Sequence, residues 1–395
     1  MPSAEPRTTA TPPRKPVSLA LQGGGAHGAL TWGVLDRLLE DGRLDIASIS
    51  GTSAGAMNAV VLADGYRRGG PDGARAHLTA FWKAVSEAAS LSPIRRSVLD
   101  WVWGRFSLDY SPSYLFFENL SRVFSPYELN PFGINPLRDI LANLVDFDNV
   151  NRCPDLRVYV TATNVRTGQP KIFRQGAVTA DAVMASACLP QMFPAVEIDG
   201  EAYWDGGFVG NPALYPLVGD PNVPDIIVVQ INPIVRQKVP KRARDIINRV
   251  NEISFNSSLI KELRMLALFQ QVMAENEIRR YHQTHLHLIH ADAEIQDLAA
   301  SSKLNAEWAY LTMLFERGRQ WADAWLAANY DKIGVASTLD LAATLGAADL
   351  FDIRAALRER IDGPAPAAGA ARGDGSPDDA ASPQPAARED EPAAP

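Results

Sequence analysis

The stretch SLALQGGGAHGALTWGVLDRLL, residues Ser18–Leu39, decides the fold class. It opens on an apolar run that is typical of a buried strand, and its second half repeats apolar residues at helical spacing. Between the two, Gly23, Gly25 and Gly28 form a G-x-G-x-x-G pattern. Such a loop lets backbone N–H groups at a helix N-terminus approach a negatively charged oxygen. The stretch therefore predicts a strand, an anion-accepting loop and a helix, and it leaves open whether the anion is a dinucleotide pyrophosphate.

A second unit of the same kind follows directly in the chain. Ile46–Ser50 predicts a short buried strand, Gly51–Gly55 a tight loop and Ala54–Leu62 a helix. Two successive strand–loop–helix units favour a parallel α/β sheet. Further strands are predicted at residues 156–162, 170–174, 226–231 and 285–290, and further helices at residues 242–281, 305–328 and 341–357.

The domain organisation follows from where the composition changes. Residues 17–362 contain no long linker and no internal repeat, which predicts one domain that ends in C-terminal helices at about residues 291–362. The flanking segments, residues 1–16 and 363–395, are rich in proline, alanine and charged residues. Segments of this composition bury too little apolar surface to fold, so both are predicted to be disordered tails.

The overall composition excludes several classes of protein. With 395 residues, 46% of them hydrophobic, the chain can bury a sizeable core, and its net charge of −8 offers no basic footprint for nucleic acid. Two cysteines predict neither a disulfide framework nor a cysteine-based metal site. The chain has no apolar run of about 18 residues and no apolar segment typical of a secretory signal. We therefore expect a cytoplasmic protein, with or without peripheral contact with a membrane surface.

The loop after the second strand, GTSAG, contains the candidate nucleophile. Ser53 occupies the G-x-S-x-G position between a strand and a helix, where a sharp turn would raise its hydroxyl above the sheet. The helix that follows directs free N–H groups and a partial positive charge to the same point. If Ser53 attacked an ester, the N–H of Ala54 would be the first expected donor to the resulting oxyanion.

A serine nucleophile needs a base, and two kinds of candidate are open. The usual partner is a histidine that is oriented by a carboxylate. Four histidines cluster in YHQTHLHLIH: His282, His285, His287 and His290. The other candidate is Asp205, because the two glycines after it, Gly206 and Gly207, allow a tight turn close to another loop.

Two further segments have an unusual composition. Residues 101–132 contain ten aromatic side chains, well above the 8% average of the chain. They predict either a lid over an acyl-binding channel or the packing of an inserted helical segment. Residues 235–250 carry six basic side chains and form either a contact for anionic lipid head groups or a solvated face.

Three motifs in this order, GGGAHG at 23–28, GTSAG at 51–55 and DGG at 205–207, resemble those of the patatin-like phospholipase family. The block VMASACLPQMFPAVEIDGEAYWDGGFVGNPAL, residues Val183–Leu214, also resembles the family, and the likeness covers about residues 17–290. The resemblance implies a three-layer α/β/α fold with a mostly parallel central sheet and an inserted aromatic-rich helical cap. It also implies a serine acyl hydrolase that cleaves phospholipid or lysophospholipid esters through a Ser-Asp dyad and an acyl-enzyme, without a cofactor or metal.

The resemblance carries over to individual residues of the three motifs. Ser53 would be the nucleophile and Asp205 the base, and no histidine would take part. The oxyanion hole would be formed by Gly23, Gly24, Gly25 and Ala54, with Gly23 permitting the turn. The motifs would be supported by His27, Gly28, Gly51, Gly55, Gly206 and Gly207. His27 is a departure, because the family most often has arginine or lysine there, and histidine is only partly charged near neutral pH.

Three other interpretations compete with the dyad. An α/β-hydrolase-type esterase would use Ser53, an aspartate and a histidine of residues 282–290. A catalytically silent relative would bind lipid without cleaving it. A dinucleotide-binding oxidoreductase would need an acid at the end of the second strand, but Asp45 precedes that strand. The expected partners are a lipid ester and a membrane surface, and no nucleic acid.

Overall fold

A computed structural model describes residues 13–104, 106–275, 284–290 and 298–340. These all belong to the first of two compact units, Met1–Leu350, and none belongs to the second, Phe351–Pro395. The predicted helix at 341–357, the domain boundary at 362, the tail at 363–395 and His282 lie outside the described residues. The predicted N-terminal arm reached residue 16, yet the first strand begins at Lys15, because Lys15 and Pro16 already pair with the second strand.

The centre of the molecule is a single eight-stranded sheet. Its strands are β1 (Lys15–Leu21), β2 (Leu44–Gly51), β3 (Arg157–Asn164), β4 (Pro170–Phe173), β5 (Val196–Ile198), β6 (Glu201–Asp205), β7 (Asp225–Val229) and β8 (His285–Ile289). The order is β5-β6-β3-β2-β1-β7-β8, and β4 pairs with β3 outside this path. The neighbours from β3 to β8 are parallel, whereas β4, β5 and β6 pair antiparallel. The mostly parallel sheet predicted from the two strand–loop–helix units is confirmed.

Helices lie between the strands and after them. They are α1 (Gly28–Asp41), α2 (Ala54–Ala89), α3 (Val98–Val102), α4 (Pro112–Leu120), α5 (Pro126–Leu129), α6 (Pro136–Leu144), α7 (Phe147–Asn151), α8 (Ala180–Ser186), α9 (Ala243–Glu275) and α10 (Trp308–Asn329). The long α2 is interrupted by non-helical backbone at Gly69 and Gly70. Single 3₁₀ turns occur at Gly25–His27, Gly206–Phe208, Tyr215–Leu217, Ala300–Leu304 and Tyr330–Lys332.

The alternation of side chains along the central strands builds a core on each face of the sheet. Leu19 and Leu21 of β1 point to the larger core, whereas Ala20 between them points to the smaller one. Helices α1, α2 and α10 fill the larger core, and Leu259 and Leu263 of α9 fill the smaller. Because successive strand residues face opposite sides, an apolar run such as that of β1 is buried on both. The three-layer α/β/α architecture is therefore confirmed.

The segment between α2 and β3 forms the predicted helical insertion. Three of its helices begin with a polar residue followed by proline: Ser111-Pro112, Ser125-Pro126 and Asn135-Pro136. A polar N-cap accepts a hydrogen bond from the first turn, and proline suits the first helical position. Its aromatic side chains are largely exposed rather than packed in a core. Those more than half exposed are Trp101, Trp103, Tyr110, Phe116, Tyr127 and Phe132.

Helix α9 departs from the simple amphipathic helix that its sequence predicts. Its apolar residues at helical spacing divide into two groups, because Leu259 and Leu263 are buried whereas Ile246, Val250 and Ile253 are exposed. Leu259 and Leu263, in the second half of α9, pack against β7 and β8 of the sheet. The first half of α9 therefore presents an apolar stripe to the outside, next to its basic N-terminal turn.

Close packing of α1 against α10 depends on two glycines. A Cβ at Gly33 would lie 2.8 Å from the carbonyl carbon of Phe315, and one at Gly318 would lie 2.9 Å from that of Leu30. We expect Gly33→Ala to lower the free energy of unfolding by about 1–3 kcal/mol, because the helices must move apart to admit a methyl group. Urea denaturation measures this, with Gly69→Ala as the control, since a Cβ there meets open space. Equal stability of the two variants would contradict the packing described.

Candidate active site

Ser53 lies on a strained turn between β2 and α2. Its backbone has φ 54° and ψ −122°, a conformation that residues other than glycine rarely adopt. The turn is tight, because a Cβ at Gly51 would lie 2.6 Å from the carbonyl oxygen of Gly55. The turn is held from below by Thr52, whose hydroxyl donates to the Gly210 carbonyl at 2.6 Å. The half-buried Ser53 side chain is thus raised above the carboxyl end of the parallel strands.

Asp205 is brought to Ser53 by the antiparallel edge of the sheet. It ends β6 opposite Ala162 of β3, beside the end of β2. Its side chain is 3% exposed and accepts a hydrogen bond from the Gly207 N–H at 2.7 Å, and the neighbouring Ser53 side chain stabilises its ionised form. Burial raises the pKa of Asp205 to about 7, although the Gly207 N–H, the Ser53 side chain and the nearby Lys303 ammonium oppose the rise.

The glycine loop closes over Ser53 from the other side. A Cβ at Gly23 would lie 2.7 Å from that of Ser53, so only glycine permits this approach. The Gly23 N–H is engaged, because it donates to Asn211 Oδ1 at 2.7 Å. Within the described part of the chain, the N–H groups of Gly24, Gly25 and Ala54 have no hydrogen-bond acceptor. The three N–H groups expected to be oxyanion donors are therefore free, and Gly23 shapes the turn.

The remaining motif glycines are positions of close approach. A Cβ at Gly28 would lie 2.7 Å from that of Ala54, where the starts of α1 and α2 meet. One at Gly55 would lie 2.8 Å from the carbonyl carbon of Leu21. At the DGG turn, Gly206 faces the Thr161 carbonyl and Gly207 faces the Phe255 ring, with no space for a side chain at either position. The glycines therefore allow the three loops to share one small volume.

His27 is a neutral structural residue. The Ser302 hydroxyl donates to the Ala299 carbonyl at 2.6 Å and accepts from the Tyr310 hydroxyl at 2.8 Å. The remaining lone pair of the Ser302 oxygen can only accept a hydrogen bond. His27 Nε2, which lies 2.9 Å from that oxygen, is therefore the donor and carries the proton, and Nδ1 carries none. Burial, followed by the charge of Lys303, holds the pKa of His27 well below 6.5. The glycine loop therefore has no cation of its own.

The histidine cluster of β8 does not approach Ser53. His287 Nε2 lies 2.8 Å from Asp225 Oδ1, and His285 Nδ1 lies 3.3 Å from the same oxygen. His285 and Asp225 begin their strands, so this group lies at the amino ends of the parallel strands, whereas Ser53 lies at the carboxyl ends. His290 follows the other end of β8, but β8 is three strand spacings from β2, roughly 14 Å. The geometry gives no support to a triad with these histidines.

Polar residues that the sequence analysis did not single out hold the glycine loop. Gln22 Oε1 accepts from the N–H groups of Ile231 and Asn232, each at 2.9 Å. The Asn232 side chain donates to the Gly23 carbonyl at 2.6 Å, and Lys303 donates to Asn232 Oδ1 at 2.7 Å. A weak signal does exist, because Asn211 and Asn232 both precede proline after a strand. Nothing in the local sequence predicts the contribution of Lys303.

Other candidate ligands and reactive groups fit less well. Within the described ranges, no group of three or more His, Cys, Asp or Glu side chains could hold a metal ion. Asp45 pairs with Pro16 at the opposite end of the sheet, so the glycine loop has no acid for a ribose and the dinucleotide interpretation is wrong. Burial raises the pKa of the Cys188 thiol to about 12. No helix among the described residues is long and apolar enough to span a membrane.

A serine on a strained strand–helix turn, paired with a buried carboxyl and facing free N–H groups, defines a serine-hydrolase-like α/β protein. The comparison with known families is more specific. The chain belongs to the patatin-like phospholipase family, whose model matches residues 19–218, just over half of the chain. Membership of this family identifies it as a lipid hydrolase in the general sense.

Two solved structures of bacterial proteins match the chain at low identity. VipD from Legionella pneumophila is 14% identical with a TM-score of 0.36, and the match covers 89% of this chain and 77% of VipD. The ExoU–SpcU complex of the Pseudomonas aeruginosa type III secretion system is 16% identical with a TM-score of 0.35, covering 89% of this chain but 61% of that chain. No curated protein sequence matches the chain significantly.

Proposed function

We propose that the protein hydrolyses carboxylic esters of lipids through a dyad of Ser53 and Asp205. The observation that carries this proposal is the placement of the Ser53 side chain beside the buried Asp205 carboxyl, whose ionised form it stabilises. The free N–H groups of Gly24, Gly25 and Ala54 supply the matching donors for an oxyanion. Family membership supports the class of reaction, and the residues and their roles are our assignment.

The first half of the reaction forms an acyl-enzyme. Asp205 accepts the Ser53 hydroxyl proton as the Ser53 oxygen attacks the ester carbonyl carbon. The carbonyl oxygen becomes an oxyanion and accepts hydrogen bonds from the free N–H groups of the glycine loop and Ala54. The bond to the leaving alcohol then breaks, the alcohol takes the proton from Asp205, and the acyl group remains as an ester on Ser53.

The second half regenerates the enzyme with the same groups. Asp205, again ionised, accepts a proton from water, and the resulting hydroxide attacks the acyl-enzyme carbonyl. The second oxyanion uses the same donors and then collapses. The fatty acid leaves, and Asp205 returns its proton to the Ser53 oxygen. Both nucleophilic attacks need a base that is ionised at working pH and stays within hydrogen-bond reach of Ser53.

The pKa of Asp205 sets an expected pH dependence. Because burial raises it to about 7, kcat/KM should rise with pH along one limb whose midpoint lies near 7, and then level off as Asp205 becomes fully ionised. The measurement is kcat/KM between pH 5 and pH 9 for a short-chain soluble ester that does not itself titrate there. A limb centred near 4, the ordinary value for aspartate, would contradict the assigned role of the buried carboxyl.

The surface around the insertion supports contact with a lipid surface. Its exposed aromatic side chains include Trp101, Trp103 and Phe132, and large exposed apolar patches mark interaction sites. The exposed stripe of Ile246, Val250 and Ile253 on α9 is of the same kind. Aromatic and aliphatic side chains mixed with basic ones are typical of peripheral membrane contact. We therefore extend the proposal to a phospholipid or lysophospholipid substrate that is taken from a membrane surface.

A panel of lipids tests the proposed function. Phospholipids, lysophospholipids and neutral glycerides of several chain lengths are incubated with the protein, and released fatty acids are quantified by mass spectrometry. Release from at least one class by the wild type, and none by Ser53→Ala, is the expected result. Lipid binding without release from any class would instead identify a catalytically silent relative.

A further inference from the structure

The 3₁₀ turn Ala300–Leu304 packs directly on the glycine loop, although it lies outside the residues that match the family model. Its Ser302 hydroxyl bonds His27 at 2.9 Å. Its Lys303 carbonyl oxygen would lie 2.5 Å from a Cβ at Gly25, which has φ 60°. The turn and the loop are therefore in contact through their backbones. This contact fixes where the Lys303 side chain begins.

The Lys303 ammonium is held beside the candidate active site. It donates to Asn232 Oδ1 at 2.7 Å, and the same Asn232 side chain holds the Gly23 carbonyl. Burial lowers the pKa of Lys303, whereas the charges of Glu252 and Asp205 raise it. The bond to Asn232 is the one hydrogen bond that the Lys303 ammonium makes within the described residues, although an ammonium can donate three. The half-buried group therefore keeps donors for a further acceptor.

The acid whose charge acts most strongly on Lys303, Glu252, is already paired with other residues. Glu252 accepts from Arg236 at 2.6 Å and from Arg249 at 3.1 Å. Two guanidinium groups thus share one carboxylate, so Glu252 does not need Lys303 as a partner. Asp205 is then the acid left to offset the charge of Lys303, and that offset is lost once Asp205 takes the Ser53 proton. An excess charge in a half-buried position is costly unless a ligand of opposite sign meets it.

Part of this group of charges, without Lys303 itself, borders a cavity of about 560 Å³. Arg236 and Glu252 line it, and its other basic residues are Lys238, Lys241, Arg242 and Arg249. Asp109 of the aromatic insertion lies on its wall, so the insertion and the basic segment meet there. A volume of this size accommodates a small-molecule group. Positive charge therefore extends from the glycine loop toward the surface proposed to contact lipid.

We propose that Lys303 is a specificity-determining residue that binds the phosphate of a phosphate-bearing lipid ester. The inference rests on the proposed function and narrows its substrate class. The glycine loop supplies only neutral N–H donors, because His27 is uncharged. The Lys303 ammonium supplies a charged donor beside that loop, and an ammonium donates strong hydrogen bonds to phosphate oxygens. A neutral glyceride would leave that donor unmatched.

A pair of substrates that differ only in the phosphate tests this. The kcat/KM values for oleoyl lysophosphatidate and for mono-oleoyl glycerol are measured for the wild type, Lys303→Met, Lys303→Arg and Lys332→Met. Lys303→Met should lower the ratio of the two values by roughly 10- to 100-fold, the effect of losing one charge-assisted hydrogen bond. Lys303→Arg should recover part of the ratio. Lys332→Met removes the same charge at the exposed turn after α10 and should leave the ratio unchanged.

The outcomes separate this inference from the proposed function. A wild type that cleaves both lipids, with a ratio that Lys303→Met does not change, overturns the role of Lys303 and leaves the dyad standing. A loss that is equal for both lipids also overturns it, because a structural role would act on both alike. A wild type that cleaves neither these lipids nor a soluble ester overturns both proposals. If Lys303→Met does not fold, Lys303→Gln, which can still donate to Asn232, replaces it with the same expectation.

Discussion

Replacing Asp205 with asparagine is expected to abolish ester hydrolysis and, at the same time, to stabilise the folded protein at alkaline pH. Asparagine keeps the shape and can still accept the Gly207 N–H, but it cannot take the Ser53 proton. Loss of a general base typically lowers the rate by roughly 10²- to 10⁴-fold. The expected change is a fall of this size in kcat with a soluble ester.

The gain in stability follows from the raised pKa of Asp205. In the unfolded chain this carboxyl ionises near 4, and in the folded protein only near 7. Below pH 4 it is neutral in both states, and its stabilising effect is lost as pH rises through 7, where the fold must hold a buried charge. Asparagine carries no such charge. The variant should match the wild type near pH 4 and exceed it by up to about 4 kcal/mol at pH 8.

Asp225→Asn is the matched control, because Asp225 is a second buried aspartate and lies at the amino ends of the parallel strands, away from Ser53. Burial opposes its ionisation, but hydrogen bonds from His287 and Gly334 nevertheless hold the pKa of Asp225 below its ordinary value. Its ionised form therefore stabilises the fold above pH 4, and Asp225→Asn should lower the free energy of unfolding at pH 8 while ester hydrolysis persists. Urea denaturation at pH 4 and pH 8 measures both variants. Two variants that shift stability in the same direction would contradict the distinction between the two carboxyls.

Replacing Ser53 with alanine is expected to have the largest effect on activity. Removal of the attacking oxygen should lower kcat by roughly 10⁴-fold or more, since the other groups cannot form an acyl-enzyme alone. Binding of lipid should persist, because the glycine loop and its surroundings are unchanged. The measurement is single-turnover release of fatty acid from a substrate that the wild type cleaves. Activity of Ser53→Ala within tenfold of the wild type would contradict the assignment.

Stability provides an independent readout at the same position. Alanine keeps the left-handed backbone at φ 54°, whereas glycine adopts it without strain. Ser53→Gly should therefore be more stable than Ser53→Ala by about 1 kcal/mol or more, although both lack the hydroxyl. Thermal unfolding of the two variants measures the difference. Backbone strain of this kind is typical of functional positions, where the direction of the side chain matters.

The sequence predicted the sheet and the site loops because their signals are local. The apolar runs of β1 and β2, each followed by glycines and a helix, are complete within residues 15–89. Glycine at positions 23, 51 and 206 reports close backbone approach, which no other residue permits. The pairing of Ser53 with Asp205 is not local, since 152 positions separate them. The residues alone left Asp205 and the histidines open as the base, and the resemblance to a family favoured Asp205.

What the sequence could not predict depends on burial and on distant contacts. The charge of His27 is decided by Ser302 and by its buried position, neither of which the loop sequence contains. Lys303 reaches the glycine loop from 275 or more positions away, through a turn with no motif. Aromatic density at 101–132 did not distinguish a packed insertion from an exposed one. Apolar residues recur at the same helical spacing along α9, yet they form an exposed stripe in its first half and a buried one in its second half.

The central claim is that Ser53 is the nucleophile and that Asp205 activates it. The most direct test treats the protein with a fluorophosphonate, which forms a stable bond with an activated serine, and measures the intact mass and the modified peptide. The account predicts one adduct per chain on Ser53 in the wild type, much slower labelling in Asp205→Asn and none in Ser53→Ala. An adduct on another residue, or undiminished labelling of Ser53→Ala, would contradict it.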